Sequence, residues 1–369
     1  MARHRLPVVG ALALAVCLVG VLAGRMVLAA ADTLPERLTD AEYWQLSQEL
    51  SEPNGYFRSD NLLSNELYYP DVLPQLVRQA KPGGVYLGVG PEQNFNYIVA
   101  IRPKMAFITD VRRGNLHTQL MYKALIEMSS DRADFFSRLF TKKRPDGLGD
   151  ASTADEIVGR YWEATAVTLG EDVYKQNLQA IKDHLTKSPH QLPLSNEDLE
   201  AIAVIYYNFY WFGPSITYNS STSGNSGRGS SMATYADLMI AKDAELVSRS
   251  YLATEEGFRF LKDFQQRNLL VPVVGNFGGP KTLRAVGQYV RERGGTIAAF
   301  YLSNVEQYLT QDNLWGQFCA NVATMPLDEA STFIRSGQRV SGRGGGGGLR
   351  NELASMLAET RGCAAAPGF

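Results

Sequence analysis

A surplus of charge of either sign is missing from this chain. Thirty-six lysines and arginines face 38 aspartates and glutamates, a formal net charge of −2. Nothing in that balance points to a broad nucleic-acid surface. Cysteine is scarce, with three in 369 residues, and the four histidines are scattered at positions 4, 117, 184 and 190. Without a Cys/His cluster at metal-ligand spacing, that scatter argues against a zinc site, and no metal is expected. There is also no Ser/His/Asp set, no nucleophile elbow and no Walker lysine. Triad hydrolysis and P-loop nucleotide chemistry therefore have no support in the sequence.

What is present begins with an address. Arg3, His4 and Arg5 precede an apolar run over residues 6–24, and Ala29, Ala30 and Ala31 stand before Asp32. Positive head, apolar middle and small-residue tail are the parts of a secretory signal. The run, about eighteen residues, is also long enough for an uncleaved anchor. Residues 1–31 are thus expected to be a signal peptide or signal anchor. The body is expected to be periplasmic or extracellular, or held outside the cytoplasmic membrane, touching the membrane only through that segment. Cys17 lies inside the apolar run, which leaves Cys319 and Cys363, and these could pair in an oxidising compartment.

Residues 32–82 form a helical, aromatic-bearing lead-in. Thr39-Asp40-Ala41-Glu42 can cap a helix, and Leu73, Leu76 and Val77 recur at helical spacing within a second one over 61–80. After Lys81-Pro82-Gly83-Gly84 comes the central stretch, Val85-Tyr86-Leu87-Gly88-Val89-Gly90-Pro91-Glu92-Gln93-Asn94. A short apolar run ends in a glycine turn and a helix opens behind it, with Pro91 suited to its first position. The next apolar run, residues 105–109, ends on Asp110. A stronger helix follows, with Leu116, Leu120, Met121, Ala124, Leu125 and Met128 on one stripe; His117 falls off that stripe and reads as solvated.

Residues 141–250 read as a helical insertion, with capping-box starts at Thr153 and Ser195. Within it, the Ser/Gly/Asn/Thr stretch 219–231 is a solvated loop or a lid over a ligand site. Strand–helix alternation then returns. A β-rich run over 269–274 closes on Gly275-Asn276-Phe277-Gly278-Gly279, a helix follows, and residues 296–302 are a buried strand leading to Ser303-Asn304-Val305-Glu306-Gln307-Tyr308. Thr332-Phe333-Ile334-Arg335 could be an edge strand. The expected fold is α/β: a Rossmann-like, mostly parallel sheet flanked by helices over 32–337, with right-handed crossovers. Residues 338–369 are a Gly/Ala-rich tail expected to be disordered.

The candidate site follows from that layout. Gly88 and Gly90 let backbone approach a ligand closely, and the helix behind them offers free N–H groups. Gln93 stands where the third glycine of G-x-G-x-x-G would be. Asp110, at the end of the neighbouring strand, can take two ribose hydroxyls. A carboxylate at Glu92 would repel a pyrophosphate, so the acidic pocket suits ribose or a cationic ligand better than NAD or ATP. S-adenosylmethionine, carrying a sulfonium and an ammonium, fits that description. The cofactor set is Gly88, Gly90, Glu92, Gln93, Asn94, Asp110 and Arg112. The substrate set is Asn276, Asn304, Glu306 and Tyr308. The plainer alternative is that Glu92 caps its helix and Asp110 pairs with Arg112 or Arg113.

Three strings, Tyr86 to Phe95, Ala106 to Arg113 and Phe300 to Leu309, resemble an uncharacterised bacterial family described as having a class I S-adenosylmethionine-dependent methyltransferase-like Rossmann fold. The resemblance runs from about residue 40 to about residue 337. By analogy, Gly88 and Gly90 would hold the methionine end of the cofactor and Asp110 its ribose. Two departures stand out: the third glycine is absent, and so is the Asn-Pro-Pro-aromatic motif of many amino-methylating enzymes. The expectations are therefore a methyltransferase-like protein with a small-molecule acceptor near Asn276 and Asn304, or a non-catalytic exported scaffold that binds a ligand or a partner. A weaker one is a hydrolase using Asp110 and Glu306 as an acid/base pair.

Overall fold

The computed structural model describes residues 33–163, 168–221, 232–340 and 348–363. The expected leader and most of the Ser/Gly stretch lie outside these residues. Four apolar runs become strands buried along almost their whole length: β1 (Val85–Gly88), β2 (Met105–Asp110), β3 (Leu270–Val274) and β4 (Ile297–Ser303). Continuous burial of this kind belongs to parallel strands with helices over both faces. With β5 (Thr332–Val340) and β6 (Gly348–Ser355) they make one six-stranded sheet in the order β3-β2-β1-β4-β5-β6. All neighbours are parallel except β5 and β6. Leu87 of β1 lies opposite Phe107 on one side and Phe300 on the other.

Helices α1 (Asp40–Leu50) and α2 (Leu73–Gln79) precede β1, and α3 (Gln93–Ile101) links it to β2. Between β2 and β3 come α4 (Arg113–Met128), α5 (Arg132–Phe140), α6 (Ala154–Glu163), α7 (Glu171–Thr186), α8 (Asn196–Phe212), α9 (Tyr235–Ile240) and α10 (Glu255–Gln266). Helix α11 (Thr282–Glu292) joins β3 to β4, α12 (Val305–Gln311) and α13 (Trp315–Ala323) join β4 to β5, and α14 (Met356–Thr360) ends the fold. Reciprocal capping boxes start α1 at Thr39/Glu42 and α8 at Ser195/Asp198, each filling two N–H groups that the helix itself cannot satisfy.

The insertion changes what burial means for α4. Residues from Asn115 to Glu127 are buried all round, because the sheet covers one side and the inserted helices cover the other. His117 is therefore not solvated as its position off the apolar stripe suggested. It is buried, with Nε2 2.7 Å from Asp198 Oδ1 at the start of α8. Burial pulls its pKa down against the pull of Asp198. Arg132 pins the same region, with its Nε 3.0 Å from Glu255 Oε2 and its other nitrogens donating to the carbonyls of Leu252, Ala253, Asp150 and Ser152.

Four local expectations need correction. Helix α3 begins at Gln93 rather than Pro91, with Glu92 in the N-cap position. Only 73–79 of the 61–80 segment is α-helical, entered through a tight 3-10 turn at Tyr69–Val72, and Asn61 has φ +47°. The strand at Thr332 is not an edge strand, since β6 pairs with it. Finally, the tail is not wholly without structure. Asn351 is buried between the half-buried Leu349 and Leu353, and Met356 is fully buried. That period-two pattern follows the glycine run and hands its residues to the sheet. Cys319 and Cys363 form a disulfide with Cα atoms 5.4 Å apart, tying α13 to the chain after α14.

Candidate functional site

Strand order reverses between β1 and β4, and an open α/β sheet forms its ligand crevice outside the carboxyl ends of the strands at such a point. A crevice of ≈ 180 Å³ lies there. The turn after β1 contributes Val89, Gly90 and Pro91, and the end of β2 contributes Asp110 and Arg112. From the ends of β3 and β4 come Asn276, Phe277, Ser303 and Asn304, with Tyr308 and Asp312 beyond them. The lead-in closes the top with Phe57, Asn61 and Ser64, and Tyr218 arrives from the insertion. An engineered apolar cavity of roughly 150 Å³ holds one benzene ring. The space here is large enough for a ring-sized group.

Of the eleven candidate residues, Gly90, Asp110, Arg112, Asn276, Asn304 and Tyr308 line this crevice, whereas Gly88, Glu92, Gln93, Asn94 and Glu306 do not. Gly90 has φ +75° and open space where a side chain would begin, which is what a turn facing a ligand requires. Gly88 serves a different purpose. A Cβ there would run into the side chain of Asn94 and the ring of Tyr86. Asn94 folds back beneath the turn, donating to the carbonyls of Val89, Gly90 and Pro91 and accepting from the Tyr86 hydroxyl. Gln119 of α4 adds another bond to the Gly90 carbonyl. The turn is thus held from within by an amide, and the start of α3 is buried beneath it.

Glu92 does not face the crevice and does not cap its own helix. Its carboxyl accepts the Ser64 N–H at 3.0 Å, stitching the lead-in to the sheet. Burial pushes its pKa up to about 8, with the Ser64 N–H opposing and the charge of Glu66 adding to the rise. It is therefore mostly a neutral acid at pH 7 and cannot act as the repelling charge that its place in the first turn suggested. Gln93 donates to the Tyr97 hydroxyl inside the core.

Asp110 is engaged. Its Oδ1 accepts the Arg112 N–H at 2.9 Å and Nε at 3.2 Å, and its Oδ2 accepts Nη2 at 3.3 Å. Arg112 also donates Nη1 to the carbonyls of Ser59 and Asp60, so one guanidinium holds both the acid and the loop over the crevice. The pairing with Arg112 foreseen as the plainer alternative is what occurs. The carboxylate that the sequence offered to a ribose is thus already held in place by an arginine.

The second glycine loop is also filled from within. Glu52 accepts the N–H groups of Asn276, Lys281 and Thr282 at 2.9–3.1 Å, where an anion would otherwise sit at the start of α11. Asn276 turns its Oδ1 onto the Gly278 N–H. Glu306 points away, to Arg335 at 3.1 Å in a separate groove with Glu359. The acid/base pair with Asp110 is therefore not formed, because α12 turns residue 306 to its outer side. Tyr308 meets Phe57 edge-to-face at 5.1 Å, and Arg58 Nη2 lies 3.3 Å from its hydroxyl.

Other residues at the crevice escaped the sequence. Ser303 ends β4 at φ +50°, a backbone conformation uncommon for a residue with a side chain, and its hydroxyl donates to the buried Glu66. The buried Oδ1 of Asn61 has no hydrogen-bond partner among the described residues. Only the aromatic and polar mix of 56–61 hinted at this wall, because its place over the sheet is set by tertiary contacts. Tyr218 stands at the stem of the segment expected as a loop or lid, of which residues 222–231 lie outside the described residues.

The chain is an α/β protein with a six-stranded, mostly parallel sheet flanked by helices, compatible with a Rossmann-like fold, and with a crevice where its strand order reverses. The chain belongs to the family described as Domain of unknown function (DUF7790), matched over residues 62–206 and 214–343. All eleven candidate residues fall inside those stretches, whereas the aromatic flap at 56–61 precedes them. No curated protein matches the chain.

Proposed function

We propose that the crevice between β1 and β4 binds a small nucleoside-type ligand, with S-adenosylmethionine the first candidate, and that the protein is methyltransferase-like in that sense. The observation that carries this is the meeting of Gly90, Asp110, Asn276, Asn304 and Tyr308, from four strand ends, around one crevice. Tyr308 and Phe57 supply an aromatic wall for a ring. Asp312 favours hydroxyls or positive charge over phosphate, whereas Asp110 is already paired with Arg112. Glu52 takes the N–H groups of the second glycine loop, which removes a cradle on which NAD or ATP would rest a phosphate, while Asn94 braces the carbonyls of the first turn from below. Methyl transfer depends on alignment of acceptor and sulfonium more than on a strong base. Asn276 and Asn304 are the groups placed to orient an acceptor.

A second function, a non-catalytic exported scaffold, has its own support. Arg112 already occupies both oxygens of Asp110, and the Cys319–Cys363 disulfide suits an oxidising compartment, as does the composition of residues 1–31. S-adenosylmethionine is made in the cytoplasm, so an exported body would take another ligand of similar shape. Calorimetry of the full chain with S-adenosylmethionine and S-adenosylhomocysteine separates the two. Micromolar binding, about −8 kcal/mol, lost in Asn304→Ala and weakened in Asp110→Ala, supports the first. No heat with either compound removes it.

A further inference from the structure

At the end of α4 away from the crevice, three side chains from two distant stretches of sequence point at one spot. Glu127 lies in the last turn of α4, about 20 Å along that helix from its crevice end. His184 lies in the last turn of α7, and His190 in the loop behind it. The Nε2 atoms of both histidines stand 2.7 Å from the same atom, Glu127 Oε2. The other oxygen of Glu127 is taken by Lys123 Nζ at 2.7 Å, which also donates to the Gln265 carbonyl.

The tautomer of His190 is set from its far side. Asp40 accepts from Gln191 N and from Asn268 Nδ2, each at 3.0 Å, and its Oδ1 lies 2.7 Å from His190 Nδ1. Asp40 is thus an acceptor, and Nδ1 carries the hydrogen. Its Nε2 is thereby aimed at Glu127 Oε2, the geometry in which that nitrogen can serve as a ligand beside the carboxylate.

We propose that Glu127, His184 and His190 bind a divalent transition-metal ion of the zinc class, with Asp40 orienting His190. Two imidazoles and a carboxylate are a zinc donor set that leaves one position for water, and a carboxylate behind a ligating histidine is its usual support. The three ligand atoms already lie within 4.8 Å of one another. Bonds of ~2.0–2.1 Å in a tetrahedron place ligand atoms ~3.3 Å apart, so the present contacts open by roughly 0.6 Å to admit the ion. The ion would join α1, α4, α7 and the loop after α7, linking lead-in, core and insertion. The four histidines look scattered in sequence, and the fold gathers two of them on a glutamate 57 residues before the first.

The test is a zinc titration of the chelator-treated full chain, checked by circular dichroism to be folded. The expected result is one ion per chain, a rise in melting temperature on loading, and a cobalt(II) visible spectrum of four-coordinate type. In the wild type, the imidazole nitrogen resonances of His184 and His190 should shift on zinc addition while those of His117 stay. His184→Gln should lose the ion, and Asp40→Asn should keep one ion with 10–100-fold weaker affinity. Less than a tenth of an equivalent bound by folded wild type overturns the proposal. So does binding that leaves the His184 and His190 resonances unmoved.

Discussion

Substituting Glu92 by glutamine should flatten the pH dependence of stability in a way no surface change can. Glu92 has no solvent exposure, its carboxyl accepts the Ser64 N–H, and Glu66 lies close enough to add repulsion. Its pKa is about 8 in the fold against an ordinary value of 4.5. The folded state therefore keeps a proton that the unfolded chain releases. Stabilisation from this group is complete below pH 4.5 and is lost as pH rises through about 8. At ~1.36 kcal/mol per pH unit, the gap sets a ceiling of about 5 kcal/mol, and local relaxation lowers what is seen. Urea unfolding followed by tryptophan fluorescence at pH ~5.5 and ~8.5 should show the wild type losing at least ~2 kcal/mol more than Glu92→Gln. Equal losses in the two proteins would refute the burial argument. A larger loss in the variant would reverse its sign.

Two further perturbations probe the frame around the site. Arg132→Met leaves the buried Glu255 with only the more distant Arg259 and strips five hydrogen bonds, and denaturant unfolding should register a loss of about 3–5 kcal/mol; a change under ~1 kcal/mol would mean that neither the ion pair nor the bonds to the carbonyls hold the insertion. Reducing the disulfide, which spans a sequence separation of 44, should lower stability by about 4 kcal/mol on chain-entropy grounds, read as a lower urea midpoint in the presence of reductant; an unchanged midpoint contradicts the closed loop.

The parallel core was legible because its strands are continuous apolar runs closed by glycine turns. Leu87, Phe107, Val271 and Phe300 announce burial on both faces without help from the rest of the chain. The crevice was legible at Gly90, Asp110, Asn276, Asn304 and Tyr308 for the same reason, since position at a strand end is a local property. Orientation was not. Whether Glu92 faces a ligand or the core depends on Ser64, 28 residues away, and Glu306 was drawn off by Arg335. The second glycine loop carried the pattern of an anion cradle, but Glu52 occupies it, and only the fold brings Glu52 to residue 282. His117, His184 and His190 read as solitary because their partners arrive from other helices.

The central claim, a nucleoside-type ligand at the switch point, is tested most directly by a crystal structure of the full chain grown with S-adenosylhomocysteine. Density bounded by Gly90, Asp110, Asn304 and Tyr308, with a ring against the Phe57–Tyr308 wall, is the predicted result. A bound compound seated anywhere else, or a crevice that stays filled by its own side chains at saturating ligand, would contradict it.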